Sequence, residues 1–251
     1  MNSADLQLMR TTLERAFELG LDGEGIDPGE VRSAAQALIQ ALESGAIRVA
    51  EPQGYRWSFN IWVKKGLILS MGLEGIEVTG RGIFKHDGSD VTPLSRVNVG
   101  AYIDEGVVVG PDVLIGACTQ LGKRVYLSAA VKLGGMLEPV EAPPVIVEDD
   151  VFIGGGCGVY EGTVIHRRAV LAAGAVLTGS TPVYDAVKGD ILRPASDRRL
   201  EIPEGAVVVP GTRRLDGEWG AVHGLSLQSH IIVGYRDEGV DAHTALKKGL
   251  A

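Results

Sequence analysis

Aliphatic residues recur at every sixth position through the middle of this chain: Val91, Val97, Ile103, Val109, Ile115, Leu121, Leu127 and Leu133, then Val147, Ile153, Val159, Ile165, Leu171 and Leu177. One further unit stands at Ile202 and Val208. Four residues after these positions comes a second small or β-branched side chain, as at Ala101, Val107, Val113, Thr119, Val125 and Val131, then Val151, Cys157, Thr163, Ala169 and Ala175. An amphipathic helix needs apolar spacings of three and four, and a half-buried strand needs strict alternation; neither template fits. The pattern demands short strands joined by corners, three sides to a turn, with each ladder residue pointing into a narrow interior. Turns stacked about 4.8 Å apart pair every strand with the one below, so units that are unstable alone become stable as an array. The expected fold class is therefore mainly β, a parallel β-helix of hexapeptide repeats.

Composition agrees with that reading. The chain of 251 residues holds 35 glycines and only 5% aromatics, which suits a fold with many tight corners and an interior of small side chains. Glycine directly follows the ladder residue at Gly110, Gly116, Gly122, Gly134 and Gly154. The ladder is interrupted once between Leu133 and Val147, a spacing read as two hexapeptides plus two extra residues. The loop, 134–146, carries Pro139, Pro143 and Pro144, which restrain an extended excursion. Loops leaving a rigid solenoid are frequent places for substrate contact. A second insertion is expected at 183–201.

Residues 1–84 are read as a helical domain and linker. Leu6, Met9, Leu13 and Phe17 form one helical face, and Asp27, Pro28 and Glu30 open a second helix with Val31, Ala34, Leu38 and Leu42. Trp57 and Trp62 are assigned to packing in the linker. The coil is placed at 85–209, and a small C-terminal β region of short strands at 210–251.

Several function classes are disfavoured. A formal net charge of -8 gives no basic surface for a nucleic-acid partner. No apolar run approaches membrane-spanning length and the first residues lack a signal-peptide pattern, so no membrane association and a cytoplasmic location are expected. Cys118 and Cys157 show neither metal nor disulfide spacing and are read as buried small hydrophobes. Of the five histidines, His166 alone is placed in the coil, pointing outward beside Arg167 and Arg168 on a solvated face; His86, His223, His230 and His243 lie elsewhere. Trimeric carbonic anhydrases of related architecture bind zinc through three histidines, so no metal is expected here.

The segments LESGAIRVAE (42–51), WVKKGLILS (62–70), VNVGAYIDEG (97–106), LGKRVYLSAAVKLGGMLEPV (121–140) and VIVEDDVFIGG (145–155), in that order, resemble the tetrahydrodipicolinate N-succinyltransferases. The resemblance covers most of the chain. It implies a left-handed β-helix, a homotrimer with active sites between neighbouring coils, and an acyl-CoA donor, succinyl-CoA or acetyl-CoA, whose pantetheine arm lies along a coil edge. Gly155, Ala173, Gly174, Thr178 and Arg213 are the residues so placed for CoA; Arg198, Arg199 and Arg214 share the late basic region. Ser128, Glu138 and Lys85 are the acceptor-side candidates, Lys85 or Arg81 standing where the family has an arginine.

The chemistry requires an amine to attack a thioester while a neighbouring group takes its proton. The family uses an aspartate and a glutamate there, and these positions align with Gly110 and Gly158. Asp104, Glu105, Asp112 and Glu161 are the nearby acids. The expected function is N-acyl transfer to tetrahydrodipicolinate or a related small amino acid; the alternative is a non-catalytic ligand-binding or scaffold trimer.

Overall fold

A computed structural model describes residues 3–54, 56–73, 75–76, 80–160, 162–194 and 199–250. Two-residue strands form three parallel sheets, here faces I, II and III, which the chain visits in strict rotation. Face I begins with Phe84–Lys85, Tyr102–Ile103 and Gln120–Leu121, and continues through Ile146–Val147, Val164–Ile165 and Glu201–Ile202. Face II runs from Asp90–Val91 through Val108–Val109, Tyr126–Leu127, Phe152–Ile153 and Val170–Leu171 to Ala206–Arg214. Face III comprises Arg96–Val97, Leu114–Ile115, Lys132–Leu133, Gly158–Val159 and Val176–Leu177. Register partners such as Leu127 with Val109 below and Ile153 above stack the ladder residues directly.

Both sequence-derived inward series are buried. From Ile103 to Leu177 every ladder residue has 0% exposure, and the second series, Thr119 and Thr163 included, stays at or below 2%. Val91 and Val97, in the lowest rungs, are only partly covered. Cys157 joins this interior, whereas Cys118 turns out of the coil in a left-handed conformation (φ 67°) and packs with the helical domain. Burial pushes the Cys118 thiol up to about 12, leaving it a neutral apolar group.

The interruption is shorter in rungs and longer in loop than its spacing suggests. Ile146–Val147 pairs with Gln120–Leu121 on face I, the face next in rotation after Lys132–Leu133. The spacing is thus one hexapeptide plus an eight-residue excursion, which corrects the two-hexapeptide reading. Length alone cannot separate the two; only the face on which the chain re-enters does.

Helices α1 (Ser3–Leu19), α2 (Pro28–Glu43) and α3 (Ile61–Gly72) build a second core around Leu13, Leu38, Trp62 and Leu67. Asp27 caps α2 by accepting from the Gly29 N–H at 2.8 Å, and Pro28 fits the first turn, where its missing donor costs nothing. The bundle rests on the corner between faces III and I, and Gly100 marks the contact. A Cβ there would stand 3.0 Å from Leu67 Cδ1 and 3.2 Å from Cys118 Sγ. A hairpin, Ala50–Gln53 and Arg56–Phe59, covers face I: Ala50, Trp57 and Phe59 pack with Ile146 and Val164.

The C-terminal part departs from the expected short strands. Ala206–Arg214 runs unbroken across residues 209 and 210 and pairs antiparallel with Ser226–Tyr235 in a long ribbon, closed by helix α4 (Glu218–Val222). Helix α5 (Ala242–Leu250) then lies back on face II through Ala245 against Val170 and Val207. The hairpin Val183–Asp185 and Asp190–Leu192 extends the same sheet. Alternating exposure in residues 210–214 gives too little apolar periodicity to reveal so long a strand.

Candidate functional site

At the corner between faces II and III the chain narrows to small residues in three successive rungs. Ala129–Ala130, Gly155–Gly156 and Ala173–Gly174 lie above one another, tied by Gly156 N–H to Ala129 O (2.9 Å) and Gly174 N–H to Gly155 O (3.0 Å). Left-handed φ values at Ala130, Gly156 and Gly174 turn the backbone, and open space extends beyond the Cα atoms of Gly156 and Gly174. The result is an exposed rail of backbone with no large side chain above it. Three of the CoA candidates, Gly155, Ala173 and Gly174, fall together on this rail. Thr178 stands at the next corner, bonded to the Thr181 hydroxyl at 2.8 Å. Arg213 lies out on the C-terminal ribbon, 3.8 Å from Asp216, and Arg214 lies beside it at the end of that strand. Arg198 and Glu161 lie outside the described residues.

The acceptor-side candidates are dispersed. Ser128 begins the same corner, where its N–H donates to Ile153 O. Glu138 is exposed in the excursion loop, before the cis Glu138–Pro139 bond. Lys85 takes the ladder register of the first rung, opposite Ile103, and donates to Ser89 O at 3.1 Å beneath the coil. Arg81 pairs instead with Glu43 of α2.

The loop itself is held by a residue the sequence did not single out. Lys64 of α3 is 2% exposed, and its ammonium donates to Pro139 O (3.1 Å) and Ala142 O (2.8 Å). Burial lowers its pKa, so the two carbonyls compensate for water the charge has lost. The only hint in the sequence was a pair of lysines, Lys64 and Lys65, inside an otherwise largely apolar helix.

The two positions at which the resemblance implies carboxylates are structurally distinct. Gly110 lies tight against the rung above, where a Cβ would be 3.0 Å from Ala129 N and 3.1 Å from Leu127 O. Gly158 stands two rungs higher, about 10 Å along the axis, at an outward position of face III. Asp112, two residues past Gly110, takes a left-handed φ of 57° on that corner, and its carbonyl accepts from Lys132 at 3.0 Å.

Asp104 and Glu105 sit at another corner, between faces I and II. Glu105 pairs with Lys123 at 3.3 Å. Asp104 lines a cleft of about 330 Å³ with Arg48, Trp57, Lys123, Glu148 and Asp149. In it the Arg48 guanidinium stacks on Tyr102, 3.6 Å from the ring centroid, and donates to Gln120 Oε1 at 3.0 Å. These two acids are therefore not brought to Gly110 or Gly158.

The same edge corrects the reading of His166. Rather than facing solvent, it lies between Glu148 (Nδ1, 3.2 Å) and Glu201 (Nε2, 3.2 Å). Both ring nitrogens meet carboxylates, which only the doubly protonated ring satisfies. The Glu148 hydrogen bond raises the His166 pKa against the opposing effect of burial. Glu148 is in turn held below its usual range: burial opposes this, but donors from His166 and Trp57 outweigh it. His86, at the first rung, is also part of the coil, since its N–H donates to Ile103 O.

Comparison with known proteins places the whole architecture. Residues 8–73 match the family described as tetrahydrodipicolinate N-succinyltransferase N-terminal, and 144–179 match the hexapeptide repeat of succinyl-transferase. A 2,3,4,5-tetrahydropyridine-2,6-dicarboxylate N-succinyltransferase from Polynucleobacter asymbioticus is 35% identical, covering 96% of this chain and 98% of the relative. The chain belongs to the tetrahydrodipicolinate N-succinyltransferase family. A second member, from Cereibacter sphaeroides, is 32% identical over 96% of this chain and 97% of its own. Among solved structures, the acetyltransferase domain of PglB from Neisseria gonorrhoeae with acetyl coenzyme A matches 59% of this chain and 62% of that one, at 14% identity and a TM-score of 0.28. That last overlay is too loose to add to the family relationship.

Proposed function

We propose that this protein transfers an acyl group, succinyl or acetyl, from coenzyme A to the amine of a small amino acid. The observation that carries the reading is the end-to-end relationship to named succinyltransferases, which spans helical domain, coil and C-terminal ribbon alike. The small-residue rail fits the donor, because an extended pantetheine chain needs close approach to backbone N–H and C=O groups. Gly155, Ala173 and Gly174 would hold it, with Thr178 and Arg213 toward the C-terminal end of the coil.

In the reaction the amine nitrogen forms a bond to the thioester carbonyl carbon, the C–S bond breaks, and the nitrogen's proton ends on the departing sulfur. Backbone donors must stabilise the oxyanion in between. Gly110 and Gly158 contribute no side chain to the proton transfer. The coil is proposed to be left-handed and the working assembly a homotrimer in the cytoplasm; the helical domain, the coil and the C-terminal ribbon then serve as support, catalytic coil and assembly arm. Trp219 and Val222, exposed at the ribbon tip, suit burial against a neighbouring copy.

The test is release of free thiol from succinyl-CoA and acetyl-CoA with tetrahydrodipicolinate and a panel of amino acids, alongside calorimetric CoA binding. Thiol release that depends on the amine supports the reading. The absence of side-chain carboxylates at Gly110 and Gly158 favours a second reading, a trimer that binds the ligand without turnover; CoA binding with no thiol release for any acceptor would establish it instead.

A further inference from the structure

Rung by rung, the outward positions of face III are Arg96, Leu114, Lys132, Gly158 and Val176. Gly158 is buried although it points outward. The cause is Tyr160, whose ring lies over it: a Cβ on Gly158 would stand 2.5 Å from Cε2 and 3.1 Å from Oη. The ring also covers Gly134 in the rung below, where a Cβ would meet Cδ1 at 2.8 Å. An aromatic from the adjacent corner therefore fills the place where the resemblance implies a glutamate side chain. Ring and glutamate cannot both occupy that volume, so the two substitutions are linked sterically.

Their chemical consequence is the loss of a carboxylate. A carboxylate at this point would attract an ammonium or amine; Tyr160 offers an apolar face edged by a hydroxyl. Lys132, the register partner of Gly158, adds a cation with no carboxylate partner among the described residues, its ammonium meeting only the Asp112 carbonyl. Gly134, where the excursion loop opens, lies against the Tyr160 ring, so this surface adjoins the start of the loop.

Resting on the acyl-transfer reading above, we propose that Tyr160 is the acceptor-selecting residue of this protein, and that the acceptor is an amino acid with an apolar or aromatic side chain. That side chain lies on the Tyr160 ring, and Lys132 meets the carboxylate. An apolar contact of this size changes relative kcat/KM by roughly 10–200-fold.

The experiment uses the full-length protein and its Tyr160→Val, Tyr160→Phe and Gly158→Glu/Tyr160→Val variants, each first checked by circular dichroism and thermal unfolding. Thiol release is followed with leucine, phenylalanine, aspartate and tetrahydrodipicolinate. The unaltered protein should favour the apolar acceptors. Tyr160→Val should raise their KM about tenfold while leaving the acyl-CoA KM unchanged, a split that general loss of structure would not give. Tyr160→Phe should keep the ranking, and the double variant should move it toward tetrahydrodipicolinate. The proposal is overturned if the unaltered protein prefers the dicarboxylate, or if Tyr160→Val leaves the ranking as it was. Thiol release with a ranking indifferent to position 160 defeats this proposal alone; failure to bind succinyl-CoA in calorimetry defeats the acyl-transfer reading beneath it.

Discussion

Replacing Lys64 with methionine should loosen the excursion loop without disturbing the coil. The side chain is 2% exposed and donates to Pro139 O and Ala142 O. Hydrogen bonds from a charged donor contribute about 1.5–3 kcal/mol each, so the pair is worth roughly 3–6 kcal/mol before costs. The burial that lowers the Lys64 pKa shows part of that cost, and methionine keeps an apolar chain in the same buried place without a charge to desolvate. A net loss of about 2 kcal/mol is expected, expressed locally, because the carbonyls it leaves belong to the loop. Hydrogen exchange read by mass spectrometry should show peptides across 136–144 exchanging about 30-fold faster in Lys64→Met, with those across 146–177 unchanged, which is the ratio 2 kcal/mol corresponds to. Equal exchange in the loop would refute the anchoring argument, and uniform acceleration throughout would show that Lys64 supports the whole fold instead.

Leu127→Ala, in the middle of the face II ladder between Val109 and Ile153, should cost about 2–5 kcal/mol in urea unfolding, whereas Val91→Ala in the lowest, partly covered rung should cost about 1 kcal/mol or less; equal losses would argue against a stacked interior. The His166 contact with Glu148 and Glu201 gives a signed pH dependence. The raised His166 pKa contributes stability that is complete below its ordinary 6.5 and fades as pH rises through the folded value, while the lowered Glu148 pKa contributes stability above its ordinary 4.5 that is lost as pH falls through the folded value. The melting-temperature difference between the protein and His166→Gln should therefore be largest between these two limits and shrink on both sides. A difference that grows above neutrality would contradict the assignment.

The coil was legible because its rule is local and repeated: one aliphatic residue in six, fixed by the need to fill a narrow interior. The first two helices were legible for the same reason, through spacing and the Asp27–Pro28 start. The ribbon from Ala206 to Tyr235 was not, since its outer half lacks an inside and so lacks a pattern. The rail candidates Gly155, Ala173 and Gly174 came from the resemblance, and they share one corner because the period returns the chain to it once per turn. Lys64 and Tyr160 escaped notice because their meaning lies in contacts across sequence, to a loop 75 residues away and to a glycine whose missing side chain makes room for a ring. His166 was placed correctly as outward, but pattern alone cannot distinguish open solvent from two carboxylates supplied by other rungs.

A crystal structure of the protein with succinyl-CoA shows most directly where the acyl carrier lies. The pantetheine chain should follow the corner of faces II and III, its atoms within hydrogen-bond distance of backbone groups at Gly155, Ala173 and Gly174. Density for the carrier in the Arg48 cleft at the corner of faces I and II, with the small-residue rail bare, would contradict that placement.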